Sequence, residues 1–231
     1  MGRGHAIDHR RTGALGLVAI GAYGSWYYAF GALLDAIAAD TGWSEASLAG
    51  SYAAGTVLVG VGSVLGGRLL DRAGVRPVLV AGGVGGTVSL VVAAAAGDVV
   101  TFTVASALGM GLYGALGFYH VTMTTAVRVN PHAPASAIAV VSLWGALASA
   151  VYLPLTAALL EVVDWRMTVR ILALSAGALF LLAALVVPER RRASVPAAAT
   201  GPTAGVPTDP ADPGDDPART GGRGETGRRE T

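Results

Sequence analysis

Gly67-Arg68-Leu69-Leu70-Asp71-Arg72-Ala73-Gly74-Val75-Arg76 is the stretch that decides how this chain is read. A long apolar run precedes it, and another begins at Pro77. Gly67 would let the end of the first run approach a neighbour closely, because a residue without a side chain leaves room for another backbone. Asp71 and Arg72 set opposite charges at a membrane boundary, and Gly74 permits a tight turn. Arg76-Pro77 then opens the next helix with a basic anchor followed by a residue tolerated only in a first turn. A loop of this kind implies that both flanking runs cross a bilayer.

Outward from the loop, apolar runs of the length needed to cross a hydrocarbon core of about 30 Å recur along the chain. They cover roughly residues 13–38, 46–67, 77–97, 99–127, 134–161 and 166–187. Their central portions hold no Asp, Glu or Arg, and His120 is the one such ionisable side chain well inside a span. Every span must satisfy its backbone internally, and the connections are short. The expected fold is therefore an all-α membrane protein, a bundle of six transmembrane helices with antiparallel neighbours. Two connectors, residues 69–76 and 162–170, are both tight, both carry Asp and Arg, and lie on opposite membrane sides. That is the pattern of two three-helix units related by inverted topology.

Orientation follows from the arginines. With the N-terminus inside, the inner side carries Arg3, Arg10, Arg11, Arg68, Arg72, Arg76, Arg128, Arg190, Arg191 and Arg192. The outer side carries Arg166 and Arg170 among Asp40, Glu45, Asp98, Glu161 and Asp164. The excess of inner arginines puts both termini in the cytoplasm, with the bundle in the cell (inner or plasma) membrane. Arg10-Arg11 before an apolar run resembles a signal peptide, but the run is too long for a cleavable core and contains Trp26, Tyr27 and Tyr28. The chain divides into an N-terminal arm (residues 1–11), a six-helix domain (12–190) and a tail (191–231). The tail mixes Pro, Gly, Thr, Asp and Arg without periodicity, a composition expected to be disordered.

Composition narrows the function. The 231 residues are 53% hydrophobic and 13% charged, with net charge +1, so no concentrated basic face is available for nucleic acid. The absence of cysteine removes disulfides, thiolate metal sites and cysteine nucleophiles. His5 and His9 lack further metal ligands, no metal or other cofactor is implied, and no hydrolytic triad or phosphate loop suggests an enzyme. Four residues are candidates for a solute path. Tyr23 and Tyr27, spaced i, i+4, share a helix face, and their hydroxyls need partners that a polar cavity or a neighbouring helix would supply. Tyr119 and His120 lie in the fourth span, where an intramembrane ionisable group is a functional candidate, although a histidine bonded to a neighbouring helix has the same signature. Trp144 and Tyr152 read as packing residues. Gly62, Gly66, Gly82, Gly86, Gly109, Gly111, Gly114 and Gly117 read as close helix contacts.

The Gly67–Arg76 stretch resembles the G-x-x-x-D-R-x-G-x-R loop between helices two and three of the major facilitator superfamily. The match holds at Gly67, Asp71, Arg72, Gly74 and Arg76, and departs at Val75, where members often carry a basic residue. The resemblance implies half of a major facilitator fold. It also implies that Asp71 joins a charge-relay and helix-dipole network latching two halves together, with Arg72 and Arg76 in the same cytoplasmic gate. Residues 23–31 with Thr41-Gly42-Trp43-Ser44, and Leu153-Pro154-Leu155-Thr156 with Asp164-Trp165-Arg166, are similar to the monocarboxylate and oxalate/formate branch. Helix five lacks the Gly-Pro-x-x-Gly-Gly pattern of drug antiporters. By this resemblance the chain is a secondary active transporter, or half of one. It would move a small organic solute such as a carboxylate, driven by a coupling ion and acting against a second six-helix half, self or separately encoded. A non-transporting accessory or scaffold protein, or an inactive truncated fragment, stays open as the alternative.

Overall fold

A computed structural model of the chain describes residues 7–187. Arg3, His5, Arg190, Arg191, Arg192 and the tail expected over 191–231 lie outside these residues. The elements in chain order are α1 (His9–Ala22), a π-helix (Tyr23–Tyr28), α2 (Ala29–Thr41), α3 (Glu45–Ala73), α4 (Val75–Ala94), α5 (Val99–Gly117), α6 (Tyr119–Val129), α7 (Pro134–Val162) and α8 (Trp165–Val186). Among the described residues they form six spans long and apolar enough to cross a membrane, each beginning and ending near the boundaries expected from the apolar runs. The first and fourth spans differ from the expected plain α-helices. The first widens into the π-helix at Tyr23–Tyr28, and the fourth breaks at Phe118.

Local chemistry sets the ends. Asp8, Ser44, Asp98 and Asp164 cap α1, α3, α5 and α8 by accepting backbone N–H bonds through their side chains. At Asp98 the backbone N–H of Thr101 and then its hydroxyl hold the carboxyl below the usual carboxylate range. Gly74 ends α3 at φ 88° and ψ 179°, a conformation essentially confined to glycine. Gly74→Ala is therefore expected to lower stability by roughly 1–3 kcal/mol, read as a lower thermal unfolding midpoint of detergent-solubilised protein.

Packing follows the two-unit pattern. Within the bundle α5 packs on α3 and α4, α1 packs on α7 and α8, and α4 packs on α8. Exchanging the first span with the fourth, the second with the fifth and the third with the sixth maps this set of contacts onto itself. Burial obeys the same exchange: the first and fourth spans are the most enclosed, the third and sixth intermediate, and α3 and α7 the least. Because each unit has three spans, the second is inverted across the membrane. The fold is thus a six-helix bundle of two inverted three-helix repeats, half of a major facilitator fold.

One glycine assignment changes. Gly67 faces open space, and its neighbour Gly66 makes the close approach, where any Cβ would collide with the Ala115 carbonyl of α5. The helical stagger explains the difference, since adjacent residues point about 100° apart and only one can face α5. The remaining glycines that read as contact points, Gly62, Gly82, Gly86, Gly109, Gly111, Gly114 and Gly117, all lie against neighbouring helices.

Candidate functional site

The two irregular spans meet. In the π-helix the Ala29 N–H reaches back to the Gly24 carbonyl, the i→i+5 bond of that winding. The Tyr152 ring lies directly over Gly24, where any Cβ would collide with it. Such wide turns inside α-helices concentrate at functional sites. In the fourth span Phe118 adopts an extended backbone, φ −72° and ψ 178°, separating α5 from α6. Its ring stacks on Tyr23 with centroids 3.8 Å apart and planes within 6°. The interruptions occupy corresponding positions in the two repeats, the first helix of each.

An aromatic cluster surrounds this contact. Tyr119 lies 5.0 Å from Tyr23 between ring centroids, and Tyr27 meets Tyr23 edge-on at 5.9 Å. Tyr28 also stacks near Tyr23, at 6.2 Å, because the π-winding brings i+5 as well as i+4 onto one side. From α3, Tyr52 lies 5.8 Å from Tyr27 and donates its hydroxyl to the Tyr27 carbonyl at 3.1 Å. Tyr23, Tyr27, Tyr28, Tyr52 and Tyr119 are all only partly buried, so the cluster is reachable from outside the bundle. Beyond it on the same span, Gly31 and Asp35 are exposed. Chemically, the cluster offers aromatic π-faces and phenolic hydroxyls.

The structure brings together three of the four candidate path residues, Tyr23, Tyr27 and Tyr119, and gives His120 a different setting. The break deprives the Ala115 carbonyl of a helical N–H partner, and His120 Nε2 takes its place at 2.8 Å. A carbonyl only accepts, so Nε2 carries the proton. Trp144 and Tyr152 pack on Gly16 and Gly24, and the Tyr152 hydroxyl pairs with Ser175 at 3.1 Å.

At one end of the bundle the signature loop is tied to other helices. Arg128 at the end of α6 donates to Asp71 at 2.6 Å, both side chains about half exposed. Arg76 donates from Nε to the Ala184 carbonyl of α8 at 2.8 Å. Nearby in sequence to Arg128, buried Asn130 accepts from the Asp8 N–H and donates to Thr12 Oγ1, locking the start of α1 to the end of α6. Gly74 makes the turn as read, while Arg68 and Arg72 have no hydrogen-bond or ion-pair partner among the described residues.

Sequence reasoning missed Tyr28, Tyr52, Phe118 and Arg128. Arg128 had a usable signal, since the arginine count already put it on the Asp71 side. Phe118 had a weaker one, the glycine series ending at Gly117. Nothing in the local sequence marks Tyr52.

Six spans in two inverted triplets are the architecture of half of a major facilitator fold. The sequence model of the Major Facilitator Superfamily matches residues 15–220. The chain belongs to that family, whose members are multi-pass membrane transporters. No curated protein matches the chain.

Proposed function

We propose that the chain is a secondary active transporter unit that moves a small organic solute, a carboxylate by preference, by alternating access. The observation that carries this reading is the meeting of the π-helix and the Phe118 break at the tyrosine cluster. Discontinuous helices near the bilayer midplane are where transporters bind solute, because interrupted winding frees backbone groups for ligands. Tyr23, Tyr27 and Tyr119 line the path, and the Tyr23 and Tyr27 hydroxyls are the donors that suit a carboxylate, that of Tyr119 being directed to the Ser142 carbonyl of α7. A coupling ion supplies the energy. The end carrying Asp71, Arg76 and Arg128 faces the cytoplasm, as the arginine excess implies. The six-helix unit rocks against a second six-helix unit, another copy or a separately encoded half, across α3 and α7. In support, these are the least buried spans, and Leu143, Val57 and Val61 on them are more than 60% exposed. Gly67, Asp71, Arg72, Gly74 and Arg76 form the gate, with Arg128 as the partner of Asp71.

Uptake of radiolabelled small mono- and dicarboxylates into vesicles reconstituted with the full chain tests the reading. The parent chain is expected to accumulate at least one of them under an imposed ion gradient. Asp71→Asn is expected to lose most of that uptake while unfolding at nearly the same temperature, since an exposed ion pair contributes no more than about 1 kcal/mol. Failure of the parent chain to move any carboxylate, or full activity of Asp71→Asn, contradicts it.

A further inference from the structure

The flank of the bundle opposite the α1/α7 pairing carries a groove. α3 and α4 both pack on α5 but make little contact with each other, so α5 forms a floor between them. The resulting cavity holds about 600 Å³. Its walls are apolar, with Leu65 and Leu69 on α3 and Leu108 and Leu112 on α5, and Leu65 is 58% exposed. Small residues keep the floor low, as Gly66 and Gly111 let the helices close underneath. Arg68 and Arg72, one turn apart on α3, join the same lining at the end of the bundle that carries Asp71.

These two cations differ from their neighbours. Arg76 is spent on the Ala184 carbonyl and Arg128 on Asp71, which also neutralises the nearest carboxylate. Arg68 and Arg72 have no partner among the described residues. An apolar trough open to the hydrocarbon region, with two guanidiniums unpaired among the described residues at its headgroup end, has the polarity of one molecule of anionic lipid. Basic pockets between transmembrane helices hold such headgroups, and paired arginines suit a phosphate because each guanidinium offers parallel donors.

We infer that the α3–α4–α5 groove is a binding site for one anionic glycerophospholipid, its acyl chain against Leu65, Leu69, Leu108 and Leu112 and its phosphate on Arg68 and Arg72. The site is separate from the tyrosine cluster and independent of what the chain transports.

Leu65→Trp places a reporter on the groove wall. The full-length variant, in phosphatidylcholine bilayers, is titrated with phosphatidylglycerol or phosphatidylcholine brominated along the acyl chain, and the signal of the parent chain is subtracted. Half-quenching is expected at a phosphatidylglycerol fraction lower by on the order of tenfold than for phosphatidylcholine. Adding Arg68→Gln and Arg72→Gln is expected to abolish the difference, while Arg10→Gln, elsewhere on the chain, leaves it intact. Native mass spectrometry of the chain without the reporter reads the same preference, as one retained phosphatidylglycerol lost in the double Gln variant. Equal quenching by both lipids, a preference that survives the double variant, or displacement by millimolar inorganic phosphate overturns the inference. So does an absence of quenching, which would mean that protein covers the groove.

Discussion

Gly66→Leu is expected to destabilise the bundle by about 1–3 kcal/mol or more, because the α3–α5 contact admits no Cβ at that position. The atom that a Cβ would meet is the backbone oxygen of Ala115, which cannot rotate away as a side chain could. Relief therefore requires moving α3 off α5, and with it Gly62, where an added Cβ would lie 2.8 Å from Ala115 Cβ. The matched comparison is Gly67→Leu. Gly67 faces open space, and leucine is the better helix former, so a change within about 0.5 kcal/mol is expected there. Thermal unfolding in detergent, with monodispersity checked by size exclusion, separates the pair. Equal losses at both positions would mean that the contact between α3 and α5 is not as described.

Tyr23→Ala is expected to produce the largest loss of transport. Tyr23 is the hub of the cluster, touching Phe118, Tyr119, Tyr27 and Tyr28, and its stack on Phe118 joins the two interrupted spans. Removing the ring deletes that stack and leaves Phe118 without support on one face. The stability loss is expected to fall near 2 kcal/mol, below the roughly 3–5 kcal/mol of a fully buried aromatic, because Tyr23 is only half enclosed. Tyr23→Phe separates packing from hydrogen bonding. It keeps the stack, so stability is expected to hold, and a rise in KM for solute with little change in maximal uptake would assign the hydroxyl to binding. An inactive Tyr23→Phe with unchanged KM would instead place the residue in the motion.

How much of this could be read in advance depended on the range of the interaction involved. Helix existence, number and repeat symmetry depend on apolar run length and on loop charges, both local properties, and these were legible from residues 13–187. The turn at Gly74 was legible for the same reason. The close contact read for Gly66 is present, while the one read for Gly67 is not, because the identity of the facing helix is a tertiary fact and one residue of stagger decides which glycine is covered. Tyr23 and Tyr27 could be paired by spacing, but the π-winding that also brings in Tyr28 has no evident cause in the residues themselves. The Asp71–Arg128 ion pair spans 57 positions of sequence, and only the side shared by the two residues was readable. His120 looked like a titrating group in a span. Its bond to the Ala115 carbonyl exists because the helix breaks at Phe118, an event to which only the glycine series ending at Gly117 pointed.

Alternating access at the tyrosine cluster is tested most directly by one engineered cysteine in a chain that naturally has none. Gly31 suits the purpose: it lies just beyond Tyr27 and Tyr28 on the same span, and a Cβ there meets nothing within 4 Å. Gly31→Cys is reconstituted in vesicles and treated with a membrane-impermeant maleimide, either added outside or trapped inside. Alternating access predicts labelling from both sides, with solute slowing both reactions. Labelling from one side alone, whatever solute is present, would contradict it.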